Sequence, residues 1–327
     1  MRRALERYAR RLWYGSAEPG PAWRLAAGLH RAALGRRWQR PAERPSRPVV
    51  LVGNLTVGGS GKTPVVMALA RLLTARGLRV AIISRGYGGR RTSRPRRVNS
   101  ADDPRQVGDE PAMMAGSSEV PVWIGVDRRR VFEAAVAAGA EVVLSDDGLQ
   151  HRALPRSFEI VVIDGERGLG NGFLLPAGPL RSPPERMAQA DAVVVRGPCD
   201  GPSLPGQVFE LEASALVELN GSDRRGPDGL AGRQVSAVCG IGNPDQFAAQ
   251  LGRLGMRVEL FAFPDHHVYR AGDLDGIPGP VVTTAKDAVK LRTLGSLPER
   301  VWVLEVQARL PQPLVDSVLT HVGQFRP

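Results

Sequence analysis

The chain has 327 residues, of which 43% are hydrophobic and 24% charged, with a formal net charge of +11. This is ordinary globular usage, and no window approaches the ~18 uninterrupted apolar residues of a membrane span, which excludes disorder, collagen and integral membrane insertion. Cys199 and Cys239 fit neither a disulfide framework nor a zinc spacing, and the first 20 residues lack an apolar signal core, so a reducing compartment is expected.

The charge is concentrated at the start. Residues 1–48 hold twelve arginines and three acids, or +9 of the +11, together with Trp13, Trp23, Trp38, Tyr8 and Tyr14. Leu5, Tyr8 and Leu12 follow helical spacing among Arg3, Arg7, Arg10 and Arg11. Leu25, Leu29 and Ala32 form a second stripe, and Gly15, Pro19, Gly20 and Pro21 separate the two predicted helices. Arginines with interfacial aromatics suit an anionic membrane surface. Nucleic acid would attract the same charge, and a helical pair packed on the body would simply hydrate it.

After the proline-rich linker 41–48 the pattern becomes α/β. Strands are predicted at 49–52, 80–83, 141–144, 160–163 and 192–195, and helices at 63–76 and 130–138. Short apolar strands alternating with helices argue a mostly parallel sheet covered on both faces. Arg128, Arg129 and Arg130 read first as a solvated helix start, with contact to a lipid phosphate as the alternative. A composition break at 197–206 leads to an extended connector, 209–219, and then to a second α/β pattern. Its strands are 235–238, 258–262, 281–283 and 301–304, with helices at 245–254 and 285–291. The expected organisation is therefore an N-terminal basic helical segment, 1–48, a P-loop-type α/β domain, 49–208, and a second, smaller α/β domain, 209–327. Gly240 and Gly242 begin a G-x-G pattern, but Asp245 stands at its third position, so this is a strand-to-helix turn.

The strongest local signal is a strand running into Thr56, Val57, Gly58, Gly59, Ser60, Gly61, Lys62 and Thr63, after which Pro64 enters the first turn of a helix. Glycines let successive backbone N–H groups converge on phosphate oxygens, and the helix start adds positive partial charge. Lys62 would reach the β- and γ-phosphates, and the Thr63 hydroxyl would ligate Mg²⁺. The strict phosphate-loop motif asks for glycine at 56, where this chain has threonine. A metal-side acid is offered by the strand ending at Asp146 and Asp147, either of which would hold Mg²⁺, unless the pair is only turn chemistry. Lys286 and Lys290 are two of only three lysines in the chain; Lys286 reads as a helix-surface residue, with a place facing the cleft as the alternative.

Seven blocks in order carry a likeness: GNLTVGGSGKTP at 53–64, SRGYGG at 84–89, GDEP at 108–111, SDDGLQHR at 145–152, GPLR at 178–181, FPDHH at 263–267 and TTAKDAVKL at 283–291. The chain resembles the tetraacyldisaccharide 4'-kinase family of lipid A synthesis, which admits Ser or Thr at position 56. The resemblance implies transfer of the γ-phosphoryl group of ATP, with Mg²⁺, to the 4'-hydroxyl of an acylated disaccharide 1-phosphate. It also implies a peripheral protein on the anionic, cytoplasmic face of the bacterial inner membrane, with no nucleic acid and no obligate protein partner. It makes Asp109 the residue that receives the hydroxyl proton, although the local pattern before Glu110 and Pro111 equally fits a helix cap. It pairs Asp109 with a charged His266 rather than His267, a choice the residues alone leave open. Glu110 joins the metal shell, and Arg181 meets a phosphate or stays solvated. Arg85, Tyr87, Gln150 and His151 are implied as disaccharide contacts.

Overall fold

The computed structural model describes residues 8–9, 11–34, 44–151, 153–197, 204–221, 223–295, 297 and 300–325. The predicted stripe residue Leu5, together with Arg3, Arg7, Arg10, Trp38 and Cys199, lies outside them. Helix α1 (Pro21–Leu34) precedes strand β1 (Val49–Gly53), helix α2 (Lys62–Thr74), β2 (Val80–Ser84) and β3 (Arg96–Val98). Helices α3 (Pro104–Val107) and α4 (Asp109–Ser117), β4 (Val122–Ile124), α5 (Arg128–Ala137), β5 (Val142–Asp146), β6 (Phe158–Asp164) and β7 (Ala192–Arg196) follow. Next come the long β8 (Gln207–Glu218), β9 (Arg224–Arg225), β10 (Gln234–Cys239), α6 (Pro244–Arg253), β11 (Arg257–Ala262), β12 (Val281–Thr284), α7 (Ala285–Leu291), β13 (Val301–Arg309) and α8 (Gln312–Gly323).

These strands form one mostly parallel sheet in the order β11-β10-β12-β13-β8-β7-β6-β1-β5-β2-β4-β3, with β9 beside β8. Strand β1 pairs in parallel with β5 and β6 and is wholly buried, because helices cover both faces. Val50 and Val52 face a core that includes Val65, Leu69 and Leu73 of α2, while Val49 and Leu51 face Val131, Phe132 and Ala135 of α5.

The predicted connector is strand β8, and its register arranges the cleft. Gln207 to Phe209 pair in parallel with the last residues of β7, whereas Glu210 to Glu218 pair antiparallel with β13. Strands β10, β11 and β12 run with β13. Both parallel groups therefore aim their carboxyl ends at one another. Along β8 the two edges are about seven residues, roughly 20 Å, apart, and loops from both sides occupy the space between. Leu314, Val318 and Val322 of α8 return to the core of the first half, so residues 209–327 do not pack as an isolated body.

Helix α1 buries Ala27, while the predicted stripe residues Leu25 and Leu29 stay 69% and 67% exposed. Far from the carboxyl edge, Glu159 on β6 is fully buried between Arg156, at 2.9 Å, and Arg186, at 2.6 Å. Removing one member of a buried charge group leaves the others desolvated and unpaired. Glu159→Gln should therefore lower unfolding stability by about 3–5 kcal/mol, read from urea titrations.

Candidate active site

Helix α2 starts at Lys62 on a left-handed Gly61 (φ 90°), and a Cβ there would also lie 3.2 Å from Cδ of Arg196. The preceding loop is held from outside. The Val57 N–H donates to the Pro179 carbonyl (2.9 Å) and the Arg181 N–H to that of Leu55 (2.6 Å). Gln150 Nε2 donates to the Asn54 carbonyl and to Ser182 Oγ, both at 3.1 Å. Thr56 bridges to Leu180. Gln150, expected as a sugar contact, thus spends its amide on the loop.

The two aspartates at the end of β5 have opposite environments. Asp147 turns out of the strand with φ 49°, a left-handed conformation that Asp tolerates better than most residues. Arg181 grips it with two hydrogen bonds of 3.0 and 2.8 Å and also donates to Asn54. Lys62 Nζ lies 4.0 Å from its Oδ1. Burial favours the protonated form of Asp147, but Lys62 and Arg181 outweigh it and hold the carboxyl far below its usual range. Asp146 is fully buried, and neither carboxylate oxygen has a hydrogen-bond partner among the described residues. Burial and the Glu110 charge push it up to about 7, against the pull of Lys62. Ser60 Oγ, in the glycine loop after β1, is another buried, unpartnered oxygen among the described residues.

Arg128 corrects the sequence expectation. Asp127 caps α5 through the Arg129 and Arg130 N–H groups, and those two side chains are exposed, but Arg128 is only 1% exposed. Its guanidinium donates to the carbonyls of Ile83 (3.3 Å), Asp146 (3.2 Å) and Asp147 (3.4 Å). It ties the ends of β2 and β5 together. Burial lowers it to about 10, still charged at neutral pH. His151 is half-buried nearby, and burial with the Arg128 charge lowers its pKa.

Asp109 opens α4 behind Gly108 (φ 95°), where a Cβ would stand 2.5 Å from the Tyr87 carbonyl. Across the cleft, His266 Nδ1 is 3.2 Å from Asp109 Oδ2. His267 instead meets Asp273 at 2.8 Å and stacks on Phe263. Burial raises the Asp109 pKa, but the His266 hydrogen bond and the Lys290 charge reverse this, leaving a net lowering. Tyr87, 66% exposed, meets the His266 ring edge-on, and Arg85 is exposed beside it. Lys286 and Lys290 are not surface residues of α7. Lys286 Nζ lies 3.2 Å from His266 Nε2 and 4.0 Å from Glu110 Oε1, and Lys290 Nζ lies 3.5 Å from Asp109 Oδ2. Away from this cluster, Arg167 of the first half donates to the Gly242 carbonyl of the second at 2.8 Å.

A central strand, a glycine loop, a helix start and a buried carboxylate at the end of the adjacent strand define a P-loop α/β protein. Residues 21–323 match the family described as tetraacyldisaccharide-1-P 4'-kinase. The chain is 49% identical over 288 residues to a tetraacyldisaccharide 4'-kinase of Alkalilimnicola ehrlichii, covering 87% of this chain and 85% of the relative. It is 44% identical over 318 residues to that of Chromobacterium violaceum, covering 91% and 90%. The crystal structure of LpxK from Aquifex aeolicus in complex with ATP superposes with a TM-score of 0.70 at 29% identity, covering 98% of this chain and 99% of that one. The chain belongs to the tetraacyldisaccharide-1-P 4'-kinase family.

Asp146 supplies a pH signature. Its folded pKa stands above the ordinary 3.8, so its stabilising contribution is complete below about pH 4 and is lost as pH rises through about 7. With chelator present, thermal melts of the wild type should fall between about pH 4 and 7 more steeply than those of Asp146→Asn.

Proposed function

We propose that this chain transfers the γ-phosphoryl group of ATP to the 4'-hydroxyl of a tetraacylated disaccharide 1-phosphate, the acceptor for which its family is named. The observation that carries the reading is a phosphate loop facing an Asp109–His266 pair supplied from both sides of one cleft, with 3.2 Å between the pair. Residues 49–208 form the nucleotide-side domain, and most of 209–327 forms the domain that closes over it.

The amides of residues 58–61 and the Lys62 ammonium bind the phosphate tail, while the Val57 N–H stays on the Pro179 carbonyl. Asp109 accepts the 4'-hydroxyl proton as the sugar oxygen bonds to the γ-phosphorus, and the bond from that phosphorus to the β–γ bridging oxygen breaks to release ADP. His266 orients the Asp109 carboxylate. The unpartnered, buried oxygens of Asp146 fit a divalent cation, as does their proximity to Glu110, whose charge raises Asp146. The Thr63 hydroxyl, Asp146 and Glu110 would hold Mg²⁺, which when bound neutralises charge on the β- and γ-oxygens. Asp147, grouped with Asp146 by sequence, has both oxygens engaged by Arg181 and serves to lock the loop. That pairing also makes Arg181 a support of the loop before it is a phosphate contact. Arg85, Tyr87 and His151, on the same edge, remain the proposed disaccharide contacts.

An acylated acceptor resides in a bilayer, and the exposed Leu25, Leu29 and Trp23 of α1 support peripheral contact with an anionic, cytoplasm-facing inner membrane. Among the described residues no helix is long and apolar enough to cross a membrane.

Label from γ-labelled ATP should appear on the acylated disaccharide only with Mg²⁺ present. Lys62→Ala and Asp109→Ala should each reduce that transfer about 100-fold or more with melting temperature maintained. Wild-type turnover in either variant rejects its role. Replacing Arg3, Arg7, Arg10 and Arg11 by Gln should cost about 1 kcal/mol of anionic-vesicle affinity per residue in co-sedimentation. An unchanged bound fraction rejects the electrostatic part of membrane attachment.

A further inference from the structure

The chain places arginine at all but three of its basic positions, and the three lysines are Lys62, Lys286 and Lys290. All three ammonium groups lie in the cleft. Lys286 and Lys290 stand four residues apart on α7, hence on one helix face. Each touches one member of the Asp109–His266 pair: Lys286 meets the ring at Nε2, and Lys290 meets the Asp109 Oδ2 that faces the ring.

We infer that Lys286 and Lys290 are positioning residues for phosphoryl transfer, each holding one member of the Asp109–His266 pair. Lys286 Nζ is 3.2 Å from His266 Nε2 and 3.4 Å from Asp265 Oδ1. An ammonium has three donors and no acceptor, so Nε2 must present its lone pair. The ring proton then sits on Nδ1, aimed at Asp109 Oδ2. This replaces the charged His266 expected from the resemblance with a ring in one defined tautomer. Lys290, 7% exposed, lies 3.5 Å from Asp109 Oδ2 and 2.8 Å from Asp287 Oδ1. Asp287 is fully buried and is itself held by the Gly240 N–H (3.0 Å) and the Thr284 hydroxyl (2.8 Å). Lys290 is therefore anchored before it meets Asp109.

The residue type follows from the geometry. A compact ammonium can address a ring nitrogen and a carboxylate within one small volume, whereas a planar guanidinium presents a wider, fixed fork. Asp109 is the one member of this group on the first half of the molecule. Lys286 holds His266 within the second half, whereas the Lys290 and His266 contacts to Asp109 form only when the halves are together and tie alignment of the proton acceptor to closure of the cleft.

The inference rests on the kinase reading, so its test carries a readout that needs no turnover. In the wild type, ¹⁵N spectra of the His266 ring should show a protonated Nδ1 and a bare Nε2. Lys286→Cys should lose that single-tautomer signature and lower kcat about 100-fold while the KM for ATP changes little. Alkylating that cysteine with 2-bromoethylamine restores an ammonium and should recover both signals. Iodoacetamide, which adds a neutral amide, should recover neither. Wild type carried through both reagents controls for Cys199 and Cys239. For the buried end, Lys290→Met combined with Asp287→Asn removes both charges together, and it should lower kcat comparably with a folded near-ultraviolet spectrum. An unaltered tautomer in Lys286→Cys, equal rescue by the two reagents, or wild-type kcat in either variant overturns the inference. If the wild type transfers no phosphoryl group to the acylated disaccharide, the kinase reading fails instead, and the ring spectra alone decide the Lys286 grip.

Discussion

The two parallel halves of the sheet share a cleft because their carboxyl edges face each other, and the antiparallel ladder of β8 with β13 imposes that arrangement. Strand β8 leaves the carboxyl edge of the first half beside β7, and β13 returns along it, with β12 and β10 following its direction. The loops after β1, β2 and β5 then meet those after β10, β11 and β12. A bulge at Glu305 and Val306 twists the ladder locally. Helix α8 pins its far end by burying Leu314, Val318 and Val322 against the first half. Contacts such as Asp109 with His266, 157 residues apart in the chain, depend on this one ladder.

Charge placement inside the cleft is equally directional. Arg128 spends its donors on carbonyls rather than carboxylates, which stiffens the ends of β2 and β5 without neutralising Asp146 through a direct pair. Arg181 does the reverse and occupies both oxygens of Asp147. Adjacent residues of the same type are thereby driven to opposite protonation tendencies, one by desolvation beside a like charge and the other by two cations. Such separation of paired carboxyls leaves Asp146 without a hydrogen-bond partner among the described residues while Asp147 is tied through Arg181 to the glycine loop.

Legibility followed the range of the interactions. The phosphate loop reads from eight consecutive residues because its function is backbone geometry, which glycine spacing encodes locally. Strands β1, β2, β5, β6 and β7 read from apolar runs because both their faces are buried. Helix α4 was read only as a candidate cap at Asp109, because it is too short for a strong stripe, although Pro111 in its first turn and two leading acids fit a helix start. Arg128 carried no signal, because an arginine in a run of three gives no hint of which one turns inward. Lysine rarity was visible, but which side of α7 faced the cleft was not.

The linear order of residues by itself determined the nucleotide-side half: a glycine loop between a buried strand and a helix, followed by an apolar strand ending in two acids, is written in short-range pattern and obeys local sterics. Tertiary structure alone decided which acid stays free, which histidine reaches Asp109, that Gln150 braces the loop, and that α7 points its lysines inward. Those outcomes depend on distances between segments far apart in the chain, set by strand direction across β8 and β13, and no local spacing carries that information.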